Sequence, residues 1–196
     1  MEQLNLIITI NIRITGHARG LGRSLYEYFK SLGHNVEGYS LSTGYDINTV
    51  EGREQILDGL DNVDVFVNNA WSEYSGQTKL LEEVIQAWDG NKDKKILNIS
   101  SKACYNYKDI NADMERYGQN KREQNKMIED RIQKYGPHIL NVILGMTDTR
   151  LGEDFEGEKM DPDAVSKWIA DMLLCETMYF QSVTVDASKL DYRFKQ

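Results

Sequence analysis

The chain has 196 residues, of which 40% are hydrophobic and 28% are charged, as in an ordinary folded domain. Its 23 basic and 31 acidic residues leave a net charge of −8, which disfavours nucleic acid and anionic lipid as partners. The longest apolar stretch is too short to cross a membrane, and Met1-Glu2-Gln3 lacks the basic flank of a secretory signal. We therefore expect a cytoplasmic protein. The two cysteines and three histidines form no ligand cluster, so we expect neither a metal centre nor a disulfide.

Short β-branched runs alternate with longer helical stretches, which predicts an α/β fold: a doubly wound parallel sheet with helices on both faces, in one domain over 1–196. A charged stretch from Gly152 to Asp161 predicts a surface loop, or a short substrate-side flap near 150–162. The predicted strands are Leu6 to Ile14, Asn35 to Ser40, Val63 to Asn68, Lys95 to Ser100, Ile139 to Leu144 and Ser182 to Val185. The predicted helices lie near Leu21 to Leu32, Val50 to Leu60, Thr78 to Trp88, Asp113 to Tyr135 and Asp163 to Leu174.

A glycine-rich turn follows the first predicted strand. It reads Thr15-Gly16-His17-Ala18-Arg19-Gly20-Leu21-Gly22 and leads straight into the first helix. Glycines at this spacing let the backbone turn sharply and admit a diphosphate against bare amides at the helix N-terminus. The turn therefore predicts a dinucleotide site, although short glycine motifs also occur as simple turns.

This turn resembles the TGxxxGxG turn of the short-chain dehydrogenase/reductase family, whose members bind NAD or NADP on one Rossmann domain. Further resemblances follow in the family's order along the chain: an adenine contact, an Asn-Asn-Ala strand end, a strand ending in serine, a Tyr-xxx-Lys pair and a segment similar to PGxxxT. The cofactor-binding residues that the resemblance implies are Gly16, Arg19, Gly20, Leu21, Gly22, Ser40, Asp46, Ile47, Asn68, Asn69, Ala70, Tyr117, Lys121, Gly145, Thr147 and Thr149.

The Tyr-xxx-Lys pair is Tyr117 and Lys121, which lie on one face of a predicted helix. A second such pair, Tyr26 and Lys30, falls in the first helix, away from the strand ends where ligands bind. A free phenol has a pKa of about 10, and a neighbouring ammonium lowers that pKa. The resemblance implies that Tyr117 exchanges a proton with a carbonyl or alcohol substrate and that Lys121 also binds the cofactor ribose.

A catalytic serine is expected at the end of the fourth strand. Ser101 would hold the substrate oxygen, and Ser100 is the alternative because a shift of one residue exchanges the two faces of a strand. The catalytic set is thus Ser101, Tyr117 and Lys121. Cofactor choice depends on the end of the second strand, where the resemblance places Ser40 instead of an acidic residue. A hydroxyl there, with Arg19 nearby, favours NADP(H), with NAD(H) as the alternative.

The chain also departs from the family pattern. It is shorter than the usual simple member, and it has no asparagine between Asn69 and Asn91 to hold the water of the proton relay, a position that Gln77 could fill. Trp71 follows Asn-Asn-Ala, and Leu144 replaces the proline of PGxxxT. The favoured function is an NADP(H)-dependent carbonyl reductase or alcohol dehydrogenase. The alternative is a non-catalytic dinucleotide-binding protein, and the resemblance implies a homodimer or homotetramer. Candidate pocket residues are Trp71, Tyr74, Tyr105, Tyr107 and Met146.

Overall fold

The computed structural model describes residues 8–105, 112–131, 135–153 and 156–188. These parts form one parallel sheet of six strands with helices on both faces. The strands are β1 Asn11–Thr15, β2 Asn35–Tyr39, β3 Val65–Asn68, β4 Lys95–Ser101, β5 His138–Leu144 and β6 Ser182–Val185. The helices are α1 Gly20–Ser31, α2 Val50–Leu57, α3 Gly76–Ala87, α4 Ala112–Glu129 and α5 Pro162–Leu173.

The strand order is β2-β1-β3-β4-β5-β6, so the chain reverses its direction of winding beside β1. The turns that leave β1 and β3 consequently point in opposite directions and open a crevice at the carboxyl edge of the sheet. The doubly wound fold predicted from the sequence is confirmed.

All of the predicted strands and helices are present, and the differences lie at their ends. The first strand begins at Asn11, not at Leu6, because pairing with β2 starts at Asn11 and Ile8 is exposed to solvent. The last helix before β5, α4, ends at Glu129 and does not continue to Tyr135. No helix in the described parts of the chain is long and apolar enough to span a membrane.

Apolar side chains cover both faces of the sheet. On one face α1 and α5 pack together over β1, β4 and β5, with Leu25, Phe29 and Ile169 fully buried. On the other face lie α2, α3 and part of α4, where Trp88 meets Phe66 edge to face. The sheet is buried on both sides, as parallel strands require.

Three buried asparagines form a row across the middle of the sheet. Asn68 donates to Asn98 at 2.9 Å, and Asn98 donates to Asn141 at 2.8 Å. These residues are also partners in the strand register. A slip of one residue would leave buried amides unpaired, so the row stabilises the register of β3, β4 and β5.

Candidate functional site

The glycine turn is fastened to the end of β3 through Thr15. The Thr15 side chain is fully buried, and its hydroxyl accepts hydrogen bonds from the backbone amides of Asn69 and Ala70, both at 3.1 Å. The Asn69 side chain in turn donates to the Thr15 carbonyl at 3.0 Å. The two segments on either side of the crevice are therefore held in a defined relative position.

The turn requires glycine because of its backbone conformation and because neighbouring atoms leave no space for a side chain. Gly16 and Gly20 have φ of 74° and 56°, a region that other residues avoid. A side chain at Gly22 would overlap the Gly16 carbonyl and the Asn69 amide. Leu21, between the glycines, is buried and packs in the core. The sequence pattern thus corresponds to a tight strand–turn–helix unit.

The N-terminus of α1 is open to an anion. No side chain caps the helix, and its first turn contains no acidic residue. Arg19 immediately precedes the helix with an extended backbone, and its side chain is exposed and makes no hydrogen bond or ion pair with any described residue. The free backbone amides and the guanidinium fit a phosphate-bearing cofactor.

The end of β2 carries a cluster of hydroxyl groups. The Ser40 hydroxyl lies 3.0 Å from that of Ser42 and 3.1 Å from that of Thr43, and Ser40 is buried. Beside this cluster, the His17 ring occupies the space that a side chain at Gly38 would need. Ser40 thus stands at the expected strand end, with its hydroxyl already bonded within the turn.

The expected adenine contact lies in the connection after β2. The Asp46 carboxylate accepts a hydrogen bond from the Asn48 amide at 2.9 Å, and Ile47 is buried. Arg53 holds this connection by donating to the carbonyls of Ile47 and Thr49 at 3.0 and 3.1 Å. The sequence reasoning missed Arg53, because nothing in its local pattern shows that a buried guanidinium shapes this loop.

Ser101 and Tyr117 meet at the end of β4. The Ser101 hydroxyl lies close enough to the Tyr117 phenol to lower the pKa of that phenol, whereas the Ser100 hydroxyl turns away and donates to Asn125 at 2.8 Å. Burial raises the pKa of Tyr117, and the Ser101 hydroxyl opposes that rise only in part. The phenol is therefore protonated at neutral pH, and Ser101 is the serine that faces it.

Lys121 lies next to Tyr117 and is almost wholly buried. Its Nζ donates to the Gln77 side-chain oxygen and to the Ile99 carbonyl, both at 2.7 Å. Burial lowers the pKa of Lys121 to about 7. Lys121 is consequently held inside the protein at the point where the resemblance implies a ribose contact, with two of its three donors already engaged.

The candidate pocket residues differ in their burial and in their contacts. The half-buried Trp71 ring packs edge to face against the Tyr117 ring at 5.4 Å between centroids. Met146 is also half-buried, whereas Tyr74 is 73% exposed. The Tyr105 hydroxyl lies 3.1 Å from that of Thr184. Among the candidate pocket residues Trp71 is the one that touches Tyr117, and Tyr107 lies outside the described residues.

The segment after β5 approaches the glycine turn. Thr149 lies against Gly20, where an added side chain would come within 3.4 Å of it. Thr147 pairs with Met160 in an isolated bridge, which ties this segment to the far end of the predicted loop. A side chain at Gly145 would overlap the Asp186 carboxylate, so the space beside that glycine is filled by the chain itself.

The arrangement of strands, turns and helices has many counterparts among solved structures. The 3-alpha-hydroxysteroid dehydrogenase from Pseudomonas sp. B-0831, solved with NADH, is 19% identical; the match covers 90% of this chain and 95% of that chain with a TM-score of 0.74. A short chain dehydrogenase from Burkholderia cenocepacia J2315, in complex with NADP, is 17% identical; 92% and 90% are covered, with a TM-score of 0.74. The chain has the fold of the short-chain dehydrogenases/reductases.

A third solved structure agrees with this assignment, whereas comparison of sequences adds nothing to it. A 3-ketoacyl-(acyl-carrier-protein) reductase from Brucella melitensis, solved with NADH, is 16% identical over 93% of this chain and 98% of that chain, with a TM-score of 0.70. No protein-family model matches the chain, and no curated protein matches it in sequence. The short-chain dehydrogenase/reductase resemblance is thus confirmed at the level of the fold.

Proposed function

We propose that the chain is an NADP(H)-dependent oxidoreductase that interconverts a carbonyl and an alcohol, with Ser101, Tyr117 and Lys121 as its catalytic residues. The observation that carries this proposal is the proximity of the Ser101 hydroxyl, at the end of β4, to the Tyr117 phenol, on α4. A protein that only binds a dinucleotide needs the glycine turn but has no use for a paired hydroxyl and phenol.

The proton chemistry follows from the state of Tyr117. Because burial raises the pKa of the phenol, Tyr117 carries its proton at neutral pH and can donate it to a carbonyl oxygen. The Ser101 hydroxyl holds the same oxygen and stabilises the negative charge that develops on it. A nicotinamide cofactor, when bound, would supply or accept the hydride. Lys121 lies beside the Tyr117 ring. When its ammonium is charged, Lys121 stabilises the Tyr117 phenolate that remains after the proton has been donated.

The cofactor is proposed to lie across the switch point of the sheet. Gly16, Gly20 and Gly22 would admit its diphosphate near the open N-terminus of α1, with Thr149 beside Gly20 on the other wall. Asn68, Asn69 and Ala70 would form the floor next to the nicotinamide half, with Gly145 and Thr147 at its far end. Asp46 and Ile47 would contact the adenine.

The preference for NADP(H) over NAD(H) rests on charge at the end of β2. The hydroxyl cluster of Ser40, Ser42 and Thr43 contains no carboxylate that would repel a 2′-phosphate. Arg19 is exposed and free of described partners, so its guanidinium is available to pair with that phosphate. The substrate is proposed to be a small carbonyl or alcohol compound that approaches Tyr117 beside Trp71.

Titration of the purified chain with NADPH, and separately with NADH, tests whether it binds a nicotinamide cofactor and which one it prefers. Energy transfer from tryptophan, Trp71 included, to the reduced nicotinamide reports binding. Saturable binding of NADPH ahead of NADH, followed by turnover in a screen of carbonyl compounds, is the expected result. Binding of neither up to about a millimolar would contradict the proposal, because working dinucleotide sites bind more tightly than that.

We also propose a cytoplasmic homo-oligomer, a dimer or tetramer, from the resemblance to the family. Light scattering at micromolar concentration is the measurement. A mass that is a multiple of 22.6 kDa supports the assembly, and a mass of 22.6 kDa itself contradicts it.

A further inference from the structure

Gln77 occupies a position in the first turn of α3 that brings its side chain under the end of β4. The residue is 1% exposed. Its amide nitrogen donates to the Asn68 carbonyl at 2.9 Å and to the Ile99 carbonyl at 3.3 Å. Both acceptors are backbone oxygens of neighbouring strands. If the amide group rotated by half a turn, both of these hydrogen bonds would be lost. The side-chain oxygen must therefore face the opposite way, toward Lys121.

The Lys121 ammonium meets this oxygen directly at 2.7 Å, with no space for a water between the two groups. The Ile99 carbonyl accepts a second hydrogen bond from the same nitrogen. An ammonium has three donors, so one remains for a further partner. Gln77 and Ile99 together determine where Nζ lies, and they leave a single direction for contact with anything else.

The charged groups around Lys121 are few. On the elements that pack against it, namely α3, β4, the 3-10 turn Lys102–Cys104 and its own helix α4, the titratable groups that face it are the Cys104 thiol and the Tyr117 phenol. No carboxylate of the described residues pairs with Nζ. The two neutral oxygens of Gln77 and Ile99 are therefore the groups that stabilise the charged form of Lys121 against burial.

We propose that Gln77 is a positioning residue that holds the Lys121 ammonium through its side-chain amide oxygen, so that Lys121 is oriented by the chain before any cofactor binds. The role in catalysis rests on the proposed function, whereas the contact and its electrostatic effect do not. Because the two groups are in direct contact, no water has to be immobilised between them.

The test follows the titration of Lys121 by NMR in the cofactor-free protein labelled with ¹³C and ¹⁵N at lysine, with its signal assigned by loss in Lys121→Arg. Gln77→Glu places a negative charge at the same point and is expected to raise the midpoint by at least about one pH unit. Gln77→Met keeps the length but removes the acceptor, and a lower midpoint is expected. Gln86→Glu, at an exposed position on the same helix, is the matched control and should leave the midpoint unchanged.

Equal midpoints in the unmodified chain, Gln77→Glu and Gln77→Met would overturn the proposal. Should one of the two variants fail to fold, the other still decides, because a midpoint equal to that of the unmodified chain would overturn the proposal. If the midpoints shift as expected but no carbonyl compound is turned over, the proposed function fails and the positioning role of Gln77 stands. If turnover occurs, the pH profile of kcat should move with the same variants while Gln86→Glu leaves it in place.

Discussion

The Nζ of Lys121 lies 5.5 Å from the centre of the Tyr117 ring, one helical turn further along α4. The two side chains point to the same place because positions four apart share a face of a helix. Lys121 is buried and Tyr117 is half-buried, and burial acts on their pKa values in opposite directions, raising that of Tyr117 and lowering that of Lys121. Burial thus favours the neutral form of both groups, so a charge that enters the site would shift both pKa values.

Tyr117→Phe is expected to lower kcat by at least about a hundredfold while changing the cofactor dissociation constant little, because the phenyl ring keeps the packing against Trp71 and loses only the proton donor. Steady-state kinetics and fluorescence titration measure the two effects. Tyr26→Phe is the control, since Tyr26 and Lys30 form the same sequence pair on α1, with Nζ 5.1 Å from the ring. Full activity in Tyr117→Phe would exclude the mechanism.

The stability of the chain should depend on pH through Lys121. Its pKa is about 7 in the folded chain and 10.5 in the unfolded chain, so the unfolded state binds the proton more tightly between these values. Stability due to this group therefore rises with pH across that window, by up to about 1.4 kcal/mol per unit. The free energy of unfolding of the unmodified chain minus that of Lys121→Met, both measured with denaturant, should increase from pH 7 toward pH 10. A difference independent of pH would show that Lys121 keeps its ordinary pKa.

Arg19→Ala should weaken NADPH binding by about ten- to a hundredfold, the loss expected for a hydrogen bond to a charged group, and should leave NADH binding nearly unchanged. The reason is that the guanidinium is proposed to bind only the 2′-phosphate, which NADPH has and NADH lacks. Lys30→Ala removes an exposed positive charge at the other end of α1 and serves as the control. Equal losses for both cofactors would place Arg19 at the diphosphate instead.

Gly22→Ala should destabilise the chain by about 1–3 kcal/mol and abolish cofactor binding, because the added methyl group would overlap the Gly16 carbonyl. Alanine is the better helix former, so propensity alone predicts the opposite sign. Gly136→Ala, where the nearest atom to an added side chain is 3.9 Å away, should be tolerated. Thermal unfolding and NADPH titration check both variants, and a fully stable Gly22→Ala protein would contradict the turn geometry.

Much of the fold could be predicted because its determinants are local in the chain. The glycine turn from Gly16 to Gly22, the alternation of strands and helices, and the positions of Asn68 and Ser101 at strand ends depend on residues close together in sequence. The strand ends were less accurate, since β1 begins only where its neighbours can pair with it. Ser40 was placed at the correct strand end, but its bonding to Ser42 and Thr43 depends on how the following turn folds.

The sequence by itself determined the order of the motifs, and with it the doubly wound sheet and the elements that carry the candidate site. Only the tertiary structure decided between Ser100 and Ser101, brought Gln77 onto Lys121 and enclosed both in the protein. The physical reason is that turns and periodicity follow from the backbone preferences of neighbouring residues. Burial and hydrogen-bond partners depend instead on side chains from distant parts of the chain, and these meet only when α3, β4 and α4 pack together.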